Sequence, residues 1–230
     1  MRRLFGLILV GAGLAQLSWG GPIAGAVFAE LSGDGAARIL YDGLVPNREG
    51  LERLIASRKG SVERAARPRP HRDLGFAFLL EAERRPSEVE AHRYAAAAEA
   101  EFLAALRLSP ADPAAWAMVP FAALRRGEIG RAAELLRIGL RVVPYAPEYA
   151  LNRFAAVSAL GDARDGVLER ALVRALADAA RYDLESTARY LVAQKNGEAL
   201  VAPLSGDPDL AYELARTIER VRDELSRIEE

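Results

Sequence analysis

Few residues in this sequence have types and spacings suited to chemistry. The chain has no cysteine and two histidines, His71 and His92, so disulfides, thiol nucleophiles and cysteine-ligated zinc are excluded. Glu88 precedes His92 by one helical turn, a spacing that places two metal-ligating side chains on one helix face. The same spacing is common for solvated ion pairs, and two ligands do not complete a metal site. The sequence therefore predicts no metal and no cofactor.

Motifs for nucleotide and acyl chemistry are incomplete. Residues 11–13 (GAG) and 33–35 (GDG) begin like dinucleotide-binding loops, but each lacks the third glycine and neither follows a strand. We find no phosphate-binding loop, no nucleophile elbow and no calcium loop. The sequence thus favours a protein that is not an enzyme. An envelope enzyme that uses only Asp, Glu and Arg side chains stays open as an alternative.

The bulk composition favours a folded domain with an appendage. The chain has 230 residues, of which 51% are hydrophobic and 27% charged, enough to bury a sizeable core. Its net charge of −1 provides no overall attraction to nucleic acid. We therefore predict no nucleic-acid partner.

Turn and helix-start residues recur at an interval of 34 positions in the middle of the chain. The recurring pairs are Pro110 and Pro144, Pro113 and Pro147, and Gly127 and Gly161. Between them the apolar residues follow a helical period. One such stripe consists of Ala132, Leu135, Leu136, Gly139, Leu140 and Val143. The spacing predicts helix–turn–helix units.

This pattern resembles the tetratricopeptide repeat over residues 94–178. Trp116 takes the large-residue position of the first helix, Gly127 the turn, and Leu136 the apolar plug of the second helix. Pro120 departs from the pattern, since a small residue belongs there and proline lacks an N–H. The second copy is more degenerate, with Arg170 in place of its plug. The resemblance implies an all-α fold, a TPR-like α-solenoid of antiparallel helix pairs.

The resemblance also implies a concave groove lined by the first helix of each pair. We expect an amphipathic helix or apolar peptide to bind there, because apolar contact replaces wet apolar surface. As an alternative, Phe121 and Leu151 would pack against the chain's own additional helices. The predicted partner-binding residues are Ala117, Phe121, Leu124, Arg125, Leu151, Asn152 and Ser158.

The first 30 residues are predicted to be a transmembrane anchor or a signal peptide. Two arginines precede an uncharged run over residues 4–29, which is long enough to cross about 30 Å of hydrocarbon as a helix. A signal peptide would instead be cleaved near Ala24-Gly25-Ala26. In both cases the arginines keep the N-terminus in the cytoplasm, so the rest of the chain is exported.

Two further segments carry alternatives. Residues 64–72 (RAARPRPHR) are predicted to be a basic Pro-rich linker, either solvated or in contact with anionic lipid headgroups or an acidic polysaccharide. Residues 207–230 are predicted to form a C-terminal helix that either caps the solenoid or mediates a homodimer. Its apolar seam consists of Ala211, Leu214, Ile218, Val221, Leu225 and Ile228.

The layout is also similar to small membrane-anchored repeat proteins of bacterial exopolysaccharide biosynthesis, on residues 113–116 (PAAW), 140–147 (LRVVPYAP) and 181–183 (RYD). We predict a helical N-terminal segment over 31–86 and a repeat domain over 87–206. The similarity implies a periplasmic, single-pass inner-membrane scaffold for protein partners in envelope or polysaccharide assembly. A soluble exported binding module, released by signal cleavage, is the alternative.

Overall fold

The computed structural model describes residues 22–41, 44–194, 201, 204 and 206–228, and within these ranges the backbone forms helices and no β-strand. The predicted all-α class is confirmed. In chain order the α-helices are α1 (22–31), α2 (Asp34–Tyr41), α3 (Arg48–Val62), α4 (Pro68–Arg84), α5 (Glu88–Leu108), α6 (Pro113–Arg125), α7 (Ile129–Val142), α8 (Ala150–Ser158), α9 (Gly166–Tyr182), α10 (Leu184–Ala193) and α11 (Pro208–Ile228).

Side-chain caps explain where several helices begin. The Ser87 side chain accepts the N–H of Glu90, and Asp112 Oδ1 accepts the N–H of Ala115 at 3.1 Å. Asp165 and Asp183 perform the same role for α9 and α10. Each cap satisfies an N–H that the helix itself leaves without an acceptor. α6 begins at Pro113, one of the helix-start residues that recur at the 34-residue interval.

Helices pack within two compact units, residues 1–115 and 116–230. The division falls inside the region 87–206 that the sequence suggested as one repeat domain. It also falls inside α6, three residues after that helix begins. Each unit has its own buried core.

The first unit is built on α4 and α5, which run antiparallel. His71 at the start of α4 contacts Glu101 near the end of α5, whereas Phe78 contacts Tyr94 farther back along α5. Phe102 is fully buried, and a methyl group at Gly75 would lie 2.7 Å from its ring. Since real Cβ contacts are not that short, only glycine allows the two helices to approach this closely.

The basic segment 64–72 differs from its prediction as a linker. α4 begins at Pro68, so most of the arginine-rich stretch forms the first turn of a helix. Proline is tolerated in a first turn because the N–H it lacks would have no acceptor there. The prolines that the sequence analysis assigned to a linker thus mark a helix start.

In the second unit, α9 is the central helix. It packs against α7, α8, α10 and α11. α10 and α11 run in the same direction, because Glu185 contacts Arg220 and Arg189 contacts Glu224. The antiparallel pairing was predicted for the repeat domain over 87–206, whereas α11 was predicted as a C-terminal helix that caps it or mediates a homodimer.

The apolar seam of α11 is used inside the chain. Leu214, Ile218 and Val221 are buried, and α11 packs against α10 and α9. Leu225 is the exposed seam residue among those with described side chains, at 38%. A homodimer through this seam would compete with packing that the single chain already makes.

In the described part of the chain, no helix has both the length and the apolarity needed to cross a membrane. Residues 1–21, which hold most of the predicted anchor, lie outside the described residues. Helix α1 holds the remainder of the uncharged run. It exposes Ile23, Val27, Phe28 and Leu31, and it buries Ala26 and Glu30.

Candidate functional site

The predicted binding residues lie on α6 and α8 of the second unit. These two helices lie side by side, with Asn152 Nδ2 of α8 lying 3.7 Å from Met118 Sδ of α6. The two residues are separated by the 34-residue interval found in the sequence. Two residues at this interval are thus neighbours in space, as we expect if one helix pair is stacked on the next.

Close approach of α6 and α7 depends on a small residue. A Cβ added at Gly139 would lie 3.3 Å from the indole ring of Trp116. The side chain of Trp116 therefore lies directly over the α7 backbone. This contact joins the residue that the repeat pattern assigned to the large position of the first helix with a glycine in the stripe predicted for the second helix.

Two glycines end helices by the same backbone conformation. Gly127 and Gly161 both have positive φ, at 73° and 53°. They are the turn glycines predicted from the 34-residue interval. Other residues pay about 1 kcal/mol or more to adopt this region, because their Cβ approaches the following carbonyl oxygen.

The seven predicted contact residues differ in exposure. Ala117 is fully buried, so its methyl group belongs to the core and cannot contact a partner. The prediction was wrong for this residue, because the face of a helix that is covered depends on all its neighbours. The other six are half-buried, namely Phe121, Leu124, Arg125, Leu151, Asn152 and Ser158. A face with half-buried apolar side chains retains area that a ligand could cover.

A buried charge cluster in the first unit was not anticipated. Arg58 is completely buried on α3 and donates to Asp73 Oδ2 at 2.7 Å, to Asp34 Oδ1 at 2.7 Å and to the Glu30 carbonyl at 2.8 Å. Burial alone would lower the pKa of Arg58, but its hydrogen bonds and charge contacts with Asp73 and Asp34 raise it overall. We name Arg58, Asp73, Asp34, Glu30 and Arg67 the Arg58 cluster.

The surrounding arginines are paired with carboxylates of the same unit. Arg67 donates to Glu30 Oε1 at 2.7 Å, and Arg72 donates to Asp112 Oδ2 at 3.0 Å. Tyr41 donates to Asp73, and burial followed by the Asp73 charge raises the pKa of the Tyr41 hydroxyl. A phenol with a raised pKa is a poor base near neutral pH. The Arg58 cluster therefore fits a structural role, in which its ion pairs and hydrogen bonds hold the helices of the first unit together.

This pairing also bears on the lipid or polysaccharide contact considered for residues 64–72. Arg67, Arg69 and Arg72 each have a carboxylate partner within the unit. Their charge is largely balanced before any external anion arrives.

The sequence contained one signal of the buried charge cluster that was not used. Arg58 shares a helix face with the apolar residues Leu51 and Leu54.

The histidines form pairs with single carboxylates. His71 Nδ1 lies 2.6 Å from Glu101 Oε2, and His92 Nε2 lies 3.4 Å from Glu88 Oε2. Within the described ranges, no group of three or more His, Asp or Glu side chains is arranged to hold a metal ion. The Glu88–His92 pair is exposed and fits a solvated i,i+4 contact.

Within the described residues, the fold defines the chain as an all-α protein. No family model, no curated protein and no solved structure matches this sequence. Functional assignment therefore depends on the chain's own residues.

Proposed function

We propose that this chain is a non-catalytic helical scaffold that binds an apolar segment of a protein partner. The placement of Met118 beside Asn152 carries this proposal. It brings α6 beside α8, and in this proposal Phe121 and Leu124 of the first helix and Leu151 of the second share one surface. We name this surface, defined by these five residues, the α6/α8 face.

Within this proposal, α6–α7 and α8–α9 are two stacked helix pairs of a short solenoid. The Trp116–Gly139 approach and the matching φ angles of Gly127 and Gly161 support the pairing. Stacked pairs present one helix of each pair on a common face, which suits an amphipathic helix as ligand. The parallel placement of α11 on α10 then ends the stack.

We further propose that the chain is tethered to the inner membrane with its folded units in the periplasm, where it serves envelope or exopolysaccharide assembly. The exposed apolar side chains of α1 support a location beside lipid, because they continue the uncharged run of residues 4–29. Cleavage at Ala24-Gly25-Ala26 would remove Ala26 from the core, where it is fully buried. This observation favours the tether over the released module.

A carboxylate enzyme is the weaker alternative. Three of the buried acids, Glu30, Asp73 and Asp112, are each bonded to an arginine. A general acid or base must instead face a substrate within hydrogen-bond reach. Replacement of these three carboxylates should thus lower the free energy of unfolding without eliminating a catalytic step.

The partner hypothesis is tested by a charge placed on the α6/α8 face. Phe121→Asp in the full chain should abolish capture of the partner from detergent-solubilised native membranes, because a carboxylate opposes burial against an apolar ligand. Tyr212→Asp, on an exposed site of α11, is the matched control and should retain capture. Far-UV circular dichroism should be the same for both variants. Equal capture by both variants would reject the face as the binding site.

The tether is tested separately by mass spectrometry of the mature N-terminus. We expect a chain that retains residues 1–26. A mature chain that begins near Val27 or Glu30 would rule out the tether and favour the released binding module. Neither result depends on the identity of the partner.

A further inference from the structure

A pocket in the second unit has an unusual combination of lining residues. It has a volume of about 210 Å³ and lies between the end of α7, the segment after it, α8 and α9. Its walls are mainly aliphatic, but three arginines line it together with one acid. The charged lining residues are Arg153, Arg170, Arg174 and Asp178.

Arg153 is the buried member of this group, with 7% of its surface exposed. One guanidinium nitrogen donates to the Val143 carbonyl at 2.7 Å. No carboxylate of the described residues lies within ion-pair distance of it. Burial accordingly lowers the pKa of Arg153, an effect that the more distant charges of Glu148 and Asp178 oppose. Arginine nevertheless stays protonated near neutral pH.

Arg170 and Arg174 lie one helical turn apart on α9 and are exposed. Several arginines of this unit have a carboxylate partner, for example Arg137 with Asp165 at 2.9 Å. Within the described ranges, Arg170 and Arg174 form no ion pair and no side-chain hydrogen bond. Three positive groups and one negative group thus line the pocket, an excess of two positive charges.

The aliphatic walls restrict what kind of anion fits. Pro144, Ala150, Val167 and Ala171 contribute them, along with Leu140 and Ala146. A small inorganic anion would leave this surface in contact with water, whereas an aliphatic group would cover it. At about 30 Å³ per water-sized group, the pocket holds roughly seven non-hydrogen atoms.

We propose that this pocket binds a small carboxylate carried on an aliphatic stem, with Arg170 and Arg174 pairing with the carboxylate and the α7–α9 walls covering the stem. Planar guanidinium groups pair well with carboxylates through parallel hydrogen bonds. Arg153 holds the pocket floor through its bond to the α7 carboxyl end. The site does not include the α6/α8 face, so the two proposals stand independently.

The test is a ligand-observed NMR titration of the full chain in lipid nanodiscs, with empty nanodiscs as the blank. Sodium hexanoate is the probe, and hexanol, hexylamine and inorganic phosphate each lack one required feature. We expect saturable hexanoate binding that is at least about tenfold tighter than the binding of any of the three other compounds. A tenfold difference in affinity requires no more free energy than one charge-assisted hydrogen bond contributes. The proposal would be overturned if phosphate bound as tightly as hexanoate. It would also be overturned if hexanol did so.

Paired variants locate the site. Arg170→Ser/Arg174→Ser should weaken hexanoate at least tenfold, whereas Arg216→Ser/Arg227→Ser removes the same charge from exposed positions on α11 and should leave it unchanged. Both variants alter exposed side chains, so circular dichroism should match the parent chain. Equal weakening by the two variants would contradict the assignment.

N-acetyl-leucine and its amide distinguish the source of the carboxylate. Tighter binding of N-acetyl-leucine than of hexanoate, with loss for the amide, would identify a peptide C-terminus. The reverse order would identify a short fatty acid. Absence of saturable binding for both carboxylates would end the proposal.

Discussion

Removal of the Arg58 side chain tests whether the buried charge cluster stabilises the first unit. In Arg58→Met the three hydrogen bonds to Asp73, Asp34 and the Glu30 carbonyl are lost. Asp73, with 2% of its side chain exposed, then remains as a buried carboxylate whose partners among the described residues are the Tyr41 hydroxyl and the more distant Arg69. The expected cost lies in the range for breaking a buried pair, about 3–5 kcal/mol.

Urea unfolding followed by far-UV circular dichroism measures this cost. With a slope of about 2 kcal/mol per M, the transition of the first unit should shift to lower urea by roughly 2 M. Arg48→Met is the control, because Arg48 and its partner Glu52 are 86% and 60% exposed. Exposed pairs contribute about 0–1 kcal/mol, so the control should shift the midpoint by less than about 0.5 M.

A double variant separates the lost pair from the lost packing. In Arg58→Met/Asp73→Asn the second change removes the unpaired buried charge, so about 1 kcal/mol or more of the stability should return. Two results would refute the reasoning. One is a midpoint for Arg58→Met that matches the Arg48→Met control, and the other is a double variant whose losses simply add.

Three further predictions concern the second unit. Gly127→Ala should lower its stability by about 1–2 kcal/mol, because alanine is strained at positive φ, whereas Gly130→Ala within α7 should be neutral or stabilising by up to about 1 kcal/mol. Equal thermal shifts for the two variants would contradict this. Phe154→Ala should cost about 3–5 kcal/mol in urea unfolding, because the ring is fully buried and contacts Tyr190 edge to face. A loss below about 1 kcal/mol would show that the site is not part of a tight core. The N–H of Leu168, followed by the Arg137 guanidinium, holds the pKa of Asp165 below its usual value, so its contribution is present above about pH 4 and is lost as pH falls. Melting temperature should therefore fall less steeply between about pH 5 and 2 in Asp165→Asn, and identical slopes would argue against the bond.

Local signals in the sequence explain where several helices begin or end. Ser87, Asp112 and Gly127 act through hydrogen bonds or φ preferences within a few residues, so their types determine the outcome. The 34-residue interval likewise reappears in the contact between Met118 and Asn152. The caps and the turn glycine depend only on neighbours along the chain.

Features set by distant residues could not be predicted in the same way. Arg67 pairs with Glu30 across 37 positions, and no periodicity identifies such a partner. Arg58 on the face of Leu51 and Leu54 was a readable signal of a buried charge, although its acceptors were not. The burial of Ala117 depends on how the surrounding helices pack.

The lining of the arginine pocket could not be predicted from the sequence for the same reason. Arg170 was recognised in the sequence only as a departure from the repeat pattern. Its place beside Arg153 in one pocket follows from the packing of α8 on α9. Tertiary contacts also determine whether α11 runs parallel or antiparallel to α10. The spacing of apolar residues along a helix is the same in both directions, so it cannot distinguish the two arrangements.

Site-specific photo-crosslinking in native membranes tests the central claim most directly. A photoreactive phenylalanine analogue is placed at Phe121, which is half-buried, and in a second chain at Tyr212, which is 69% exposed. The scaffold account predicts a discrete protein adduct at Phe121 and none of the same mass at Tyr212, despite the greater exposure of Tyr212. The same adducts at both positions, or adducts at Tyr212 alone, would contradict the claim that the α6/α8 face binds a partner.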